Sequence, residues 1–316
     1  VPETRDGAVS LEDLTDAVTA QVRGQDPRVS EFLIALIRHL HEFARETRPT
    51  PREWRAGLDF LARTGEFCTA GRHEFILLSD LLGLSSLVDG LGNPGPAQMT
   101  PATVEGPFHT PAPPRELGAI IATGAEWDRG DWTLLRGTVR DTGGAPVPGA
   151  RIDIWQSDDQ GRYDVQDDAQ AAGNLRALLT ADEAGRYWLR TVKPSSYPVP
   201  VDGTGGELLR AMRRHPMRPA HIHARVVAAG YRPLTTHLFV AGDEYLDSDA
   251  AWGVRDGLII DFTRNDDPAA IERHGMPGPF FDVRFDLVLV RDAEASAAGP
   301  TASSIRQPLP GYPDRW

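Results

Sequence analysis

The residues of this chain with the clearest chemical purpose are Arg218-Pro219-Ala220-His221-Ile222-His223, which lead directly into an apolar run from Ala224 to Ala229. On a β-strand, side chains two residues apart share a face, so His221 and His223 can take neighbouring coordination positions on one metal ion while Ile222 turns into a core. The chain carries its own control: His39 and His41 have the same spacing within a helical pattern, where residues two apart lie on nearly opposite sides and cannot chelate. The competing explanation for His221 and His223 is a strand whose polar face simply bears two imidazoles. Two imidazoles do not complete a site. Tyr163, after Ile152-Asp153-Ile154-Trp155-Gln156 and a turn at Gly161, and Tyr197, in the proline-flanked loop from Lys193 to Pro200, are candidate phenolate donors. Phenolate is a hard oxygen anion, and with an ordinary pKa near ~10 it needs a strongly acidic metal, ferric iron being the natural choice, to ionise it. Each tyrosine could equally be a core or turn residue with its hydroxyl on backbone. His237 is the rival third donor, giving a three-histidine site of the zinc or cupin kind. No Asp or Glu stands between His223 and Asp243, so a two-histidine, one-carboxylate triad lacks its third member there.

Positioning such donors requires β-structure in the second half of the chain, and the pattern supplies it. The first part reads as helical. Residues 10 to 24 open with Ser10 and Asp13 at capping-box spacing and carry Leu11, Leu14, Val18 and Val22 at helical intervals. A second helix starts at Asp26-Pro27 with Val29, Phe32, Leu33, Leu36, Ile37, Leu40 and Phe43 along one stripe, a third at Thr50-Pro51 with Glu53 in its first turn, and a fourth runs from about Arg72 to Leu82 or beyond. The stripes are wide for so thin a helical layer, which predicts a second subunit packed against it. Gly92-Asn93-Pro94-Gly95-Pro96 breaks the pattern, and the domain boundary is expected near residue 100. Seven short β-rich runs follow, at 132–139, 150–156, 186–192, 220–228, 235–241, 257–262 and 281–290, separated by turns such as Asp141-Thr142-Gly143-Gly144. The expected fold class is therefore α+β: an all-α domain with its linker over residues 1–100, a mostly antiparallel β-sandwich over 101–290, and an extended tail over 291–316.

Composition narrows the partners. The 316 residues are enough for two domains with a full core, and a formal net charge of −12 argues against nucleic acid or an anionic membrane surface, both of which require basic patches. The single cysteine, Cys68, excludes an internal disulfide framework and any cysteine-based zinc or iron-sulfur site. No run reaches the roughly 18 apolar residues of a membrane span, and the acidic N-terminus lacks a basic-then-apolar leader pattern. A cytoplasmic protein without membrane insertion is expected.

Several ordered motifs carry a resemblance beyond spacing: Thr103-Val104-Glu105-Gly106-Pro107-Phe108; Pro148-Gly149-Ala150 through Ile154-Trp155 to Gly161-Arg162-Tyr163; Gly185-Arg186-Tyr187-Trp188; Tyr197-Pro198-Val199-Pro200 with Asp202-Gly203; and Arg218 to His223. With them, residues from about 30 to 290 resemble the intradiol ring-cleavage dioxygenases, the family of catechol and hydroxyquinol 1,2-dioxygenases. The resemblance implies Fe(III) held by Tyr163, Tyr197, His221 and His223, a helical N-terminal dimerisation domain, a homodimer, and a phospholipid at the dimer interface. It also implies an aromatic diol or triol and O2 as substrates, cleaved between the two oxygen-bearing carbons.

Within that family, Thr236-His237-Leu238-Phe239 and Tyr245-Leu246-Asp247-Ser248-Asp249-Ala250 are similar to hydroxyquinol enzymes, whereas Glu105 is more like the catechol branch and Ala251 is smaller than expected. The leading expectation is cleavage of hydroxyquinol (1,2,4-trihydroxybenzene) to 3-hydroxy-cis,cis-muconate, which tautomerises to maleylacetate. The alternatives are a catechol or substituted-catechol enzyme and, from another class, a non-catalytic β-sandwich carrier or lipid-binding module. Tyr197 is expected to leave the metal and act as a base, Arg218 to stabilise developing negative charge, and His237 to donate a hydrogen bond near the metal. Asp80 is expected to accept a hydrogen bond from the extra ring hydroxyl. Leu77, Val104, Gly106, Pro107, Phe108, Val199, Pro200 and Ala251, with Arg218, are the pocket walls the resemblance implies.

Overall fold

The computed structural model describes residues 9–24, 26–69, 72–93, 95–129 and 131–292, so most of the expected tail lies outside the described residues. The chain divides into two compact units, Val1–Arg63 and Thr64–Trp316.

The first unit holds α1 (Leu14–Thr19), α2 (Pro27–Thr47) and most of α3 (Pro51–Glu66). Local chemistry sets their starts. Asp26 accepts from the Arg28 N–H at 2.7 Å with Pro27 in the first turn, and Glu53 accepts from the Thr50 N–H at 2.8 Å while Thr50 Oγ1 accepts from the Glu53 N–H. α1 is shorter than the periodicity of residues 10 to 24 predicts. Ser10 Oγ accepts from the Asp13 N–H at 3.0 Å and donates to its carboxylate, so the pair closes a turn ahead of the helix. Thr15 joins α1 to α2 through His41 Nδ1 at 3.0 Å and the Arg45 guanidinium at 2.6 Å, a structural use for the histidine that cannot chelate. Phe32, Leu36, Leu40 and Phe43 on α2 are exposed.

The second unit opens with α4 (Glu74–Leu81) and α5 (Leu84–Gly92); the single helix expected across 72–82 and beyond is interrupted where Gly83 adopts φ 72°. After α6 (Ala125–Arg129) come β1 (Trp132–Asp141), β2 (Arg151–Gln156), β3 (Arg176–Thr180), β4 (Arg186–Val192), β5 (Tyr197–Pro198), α7 (Thr204–Met212), β6 (Met217–Arg218), β7 (His221–Val227) and β8 (Leu234–Val240). The remainder is β9 (Ile259–Ile260), β10 (Thr263–Asn265), α8 (Pro268–His274), β11 (Phe280–Arg284) and β12 (Leu287–Leu289). One sheet orders β10-β11-β1-β12 with β4 on β1, the other orders β3-β2-β7-β8-β9, and β5 pairs β6 in a small ribbon.

Most neighbours are antiparallel, but β1 runs parallel to β11 and β12, and β8 to β9, so both sheets are mixed. One apolar cluster draws on both: Leu135, Val139, Leu189 and Val283 from the first sheet, Ile152, Ile154, Leu179, Ile222 and Leu238 from the second. Period-2 alternation sends these residues inward, and Ile222 does so from between the two strand histidines. The run expected at 281–290 splits because β1 changes partner there. Phe285 donates to the Arg136 carbonyl and Asp286 accepts from the Thr138 N–H, close to Gly137, where a Cβ would stand 1.8 Å from the Phe285 carbonyl oxygen. The 257–262 run shortens to β9 behind a 3-10 turn at Asp256–Leu258. Among the described residues no single helix is long and apolar enough to cross a membrane.

Candidate metal centre

Strand β7 places His221 and His223 on one face, both buried, with Nε2 atoms 3.1 Å apart. Tyr163 arrives from the turn after β2, and Tyr197 from β5, where it pairs across the ribbon with Arg218. The four side chains close a ring: His223 Nε2 to Tyr163 Oη is 3.0 Å, Tyr163 Oη to Tyr197 Oη 3.2 Å, and Tyr197 Oη to His221 Nε2 3.4 Å. Bonds of about 2.0–2.2 Å to one ion put neighbouring ligand atoms roughly 2.9–3.5 Å apart along a coordination polyhedron, so the edges of this ring fit a single metal. All four side chains are at most 2 % exposed, so bulk solvent does not reach the donors and partners inside the protein must satisfy them.

Protonation supports the same fit. His221 bonds the Pro219 carbonyl through Nδ1 at 2.7 Å; with the proton on Nδ1, the Nε2 lone pair faces inward. Burial and then the Arg218 charge push the His221 pKa down to about 3, and burial holds His223 and His237 well below the ordinary histidine range, so the imidazoles are neutral as metal ligands must be. Burial raises the phenol pKa of Tyr163 far above its ordinary value and that of Tyr197 above it, with Arg218 opposing in both. Two such phenols ionise only beside a compensating cation, the donor chemistry of a hard, highly charged ion.

His237 lies opposite His223 in the β7–β8 register, with ring centroids 4.2 Å apart, and its ring stacks on His221 at 4.7 Å. The three histidines keep nitrogen atoms within 4.8 Å of one another, a looser group than the ring of two phenols and two imidazoles. Both His237 nitrogens are buried without a hydrogen bond of proper geometry, although the Val104 backbone lies close enough to favour its charged form slightly.

Arg218 is buried beside the ring, with Nη1 3.4 Å from His221 Nε2. Burial opposes its charge, but Asp249 and the two phenols outweigh burial and the guanidinium is held above its ordinary pKa. Of the expected walls, Leu77, Pro107, Phe108, Val199 and Pro200 line one cavity of about 440 Å³. Phe108 packs on Tyr163 at 4.8 Å between centroids, joining the cavity to the donors. Gly106 adopts φ 77° against His223, and a Cβ there would be 3.4 Å from that ring. Val104 sits by His237, while Asp80 and Ala251 lie on the Arg218 side: the Ala251 N–H donates to Asp249, and Asp80 feels the charges of both Arg218 and Asp249.

Four supporting contacts escaped the sequence reading. Trp155 stacks flat on His223, with centroids 4.6 Å apart and planes 11° from parallel. Asp243 accepts from Ser196 and from the Ala220 N–H, tying the residue before Tyr197 to the residue before His221. Arg176 pairs with Asp164 at 2.6 Å and donates to the Phe108 carbonyl, fixing the Tyr163 turn. Asp249 holds Arg218. The signal available for the last was the rule that a buried arginine needs an anionic partner.

Two mixed sheets that bring two phenols and two imidazoles into a buried ring fitting one metal ion, with a cavity reached through Phe108, define a candidate metal centre of the oxygenase kind. A family model described as "Dioxygenase" matches residues 104–291 and one described as "Catechol dioxygenase N terminus" matches 26–100. The chain is 43% identical over 290 residues to hydroxyquinol 1,2-dioxygenase of Rhizobium sp. (strain MTP-10005), covering 90% of this chain and 97% of that protein. It is 46% identical over 269 residues to hydroxyquinol 1,2-dioxygenase of Nocardioides simplex, covering 84% and 89%. The solved structure of hydroxyquinol 1,2-dioxygenase from Pseudomonas putida DLL-E4 superposes with a TM-score of 0.79 at 38% identity, covering 89% of this chain and all of that one. The chain belongs to the intradiol ring-cleavage dioxygenases.

Proposed function

We propose that this enzyme cleaves hydroxyquinol with O2 to 3-hydroxy-cis,cis-muconate, the tautomer of maleylacetate, using Fe(III) held by Tyr163, Tyr197, His221 and His223. The observation that carries this reading is the closed ring of two phenol oxygens and two imidazole nitrogens with edges of 3.0–3.4 Å. The hydroxyquinol 1,2-dioxygenase relatives support the choice of substrate. When bound, ferric iron supplies the Lewis-acid and redox chemistry that lets a ring diolate react with O2.

The chain's own residues supply the rest. Tyr197, within reach of Arg218 and His221, takes up a proton as the diol ionises, while Tyr163, backed by Phe108 and the Arg176–Asp164 pair, keeps its place. Arg218 faces the negative charge that develops on the ring and oxygens. His237 donates a hydrogen bond beside them. Leu77, Val104, Gly106, Pro107, Phe108, Val199, Pro200 and Ala251 shape the pocket and exclude water, and Asp80 accepts from the third ring hydroxyl. The bond that breaks joins the two adjacent hydroxyl-bearing carbons, and both atoms of O2 enter the carboxylates of the product.

We further assign residues 1–100 to a helical dimerisation domain and 101–290 to the catalytic domain, in a cytoplasmic homodimer with a phospholipid at its interface. Exposed Phe32, Leu36, Leu40 and Phe43 support a covering partner. Oxygen-uptake kinetics over a series of ring diols test the substrate. A higher kcat/KM for hydroxyquinol than for catechol is expected; the reverse order would favour a catechol enzyme, and no uptake with any diol would favour a carrier.

A further inference from the structure

Arg218 lies in a bracket built by a loop 31 positions away in sequence. We infer that Asp249 is a positioning residue for ring cleavage: its carboxylate clamps the Nε–Nη2 edge of Arg218 so that Nη1 is left pointing at the donor ring. The inference rests on the reading that the substrate reacts at that ring.

Arg218 Nε donates to Asp249 Oδ1 at 3.0 Å and Nη2 to Oδ2 at 3.3 Å. A guanidinium is planar, so a carboxylate on one edge fixes its plane and the direction of the remaining nitrogen. That nitrogen, Nη1, is 3.4 Å from His221 Nε2. The carboxylate is in turn held by its own loop, with Oδ1 accepting from the Ala251 N–H at 3.1 Å and Oδ2 from the Gly253 N–H at 2.8 Å. The loop is pinned at three further points: Thr103 Oγ1 donates to the Gly253 carbonyl, Ser86 Oγ to the Trp252 carbonyl, and Arg214 Nη2 to the Asp249 carbonyl. Gly253 approaches so closely that a Cβ there would stand 2.9 Å from Arg218 Nη2. Both partners are buried, and a buried ion pair adds little net stability over an apolar replacement. What this pair supplies is the direction of a cation beside the reacting oxygens.

The test uses the purified holoenzyme and the variants Asp249→Asn, Asp249→Glu, Arg218→Gln and the double variant Arg218→Gln/Asp249→Asn. Asp249→Asn is expected to keep its metal and its phenolate-to-metal absorption band, with KM within about threefold of the parent and kcat per bound metal about 100-fold lower, the effect of misplacing a catalytic group by about 1 Å. Asp249→Glu, which keeps the charge but moves it, is expected to recover kcat only partly. In the Arg218→Gln background the Asp249→Asn change is expected to alter kcat by less than about twofold, because its effect passes through Arg218. Should Asp249→Asn alone not fold, the double variant, which leaves neither buried charge unpaired, decides by comparison with Arg218→Gln. Effects that multiply in the double variant, or a parental kcat per metal in Asp249→Asn, overturn the inference. A parent enzyme with no absorption band overturns the metal reading instead.

Discussion

Asp80 allows substrate recognition and stability to be separated at one side chain. It is 3 % exposed on α4, and burial, against weaker opposing effects of Ser85 and Arg218, pushes its carboxyl pKa from 3.8 up to about 6. A raised carboxyl pKa means that between pH 3.8 and about 6 the folded protein holds a proton that the unfolded chain has released. Stability therefore falls as pH rises through that window, and the whole cost is present above it. A shift of about two pH units is worth about 3 kcal/mol. Asp80→Asn keeps the shape and removes the charge. It is expected to stabilise the protein by up to about 3 kcal/mol at about pH 7.5 and by only about 1 kcal/mol at about pH 4.5, read as urea midpoints at both pH values. The same variant is expected to lose about 10- to 100-fold in kcat/KM for hydroxyquinol, the worth of a hydrogen bond to a charged acceptor, with catechol turnover little changed. A stability change independent of pH, or equal losses on both substrates, would refute the reasoning.

Other perturbations probe the scaffold of the site. Gly106→Ala places a side chain at φ 77° with its Cβ 3.4 Å from the His223 ring, so a loss of about 1–2 kcal/mol and reduced metal content are expected by thermal melting and elemental analysis. Ile222→Ala empties a fully buried position on the opposite face of the ligand strand, and a loss of about 2–5 kcal/mol is expected from denaturant unfolding with the fold retained.

Much of the site was legible because strand periodicity is strict. His221 and His223 fall on one face of β7 and Ile222 on the other, and the run at 186–192 coincides with β4. Helix starts with a capping signature, at Asp26-Pro27 and Thr50-Pro51, were equally readable. What escaped depends on long-range packing. α7 begins Thr204-Gly205-Gly206, a poor helical sequence, yet Gly205 is needed where a Cβ would stand 2.8 Å from Leu77, and its N–H is taken by buried Glu74 at 2.9 Å. β3 reads Arg-Ala-Leu-Leu-Thr with no alternation, and its Arg176 is buried only because Asp164 meets it. Asp249 stands in the Tyr245–Ala250 motif, but its pairing with Arg218 was not read from it for the same reason: the partner is remote in sequence and the loop between carries no periodic pattern.

The most direct measurement is elemental analysis of the purified protein together with its visible absorption spectrum, repeated for Tyr163→Phe. About one iron per chain and a phenolate-to-iron band that weakens or shifts in the variant are expected. Zinc in place of iron, or iron with a spectrum that Tyr163→Phe leaves unchanged, would contradict the account.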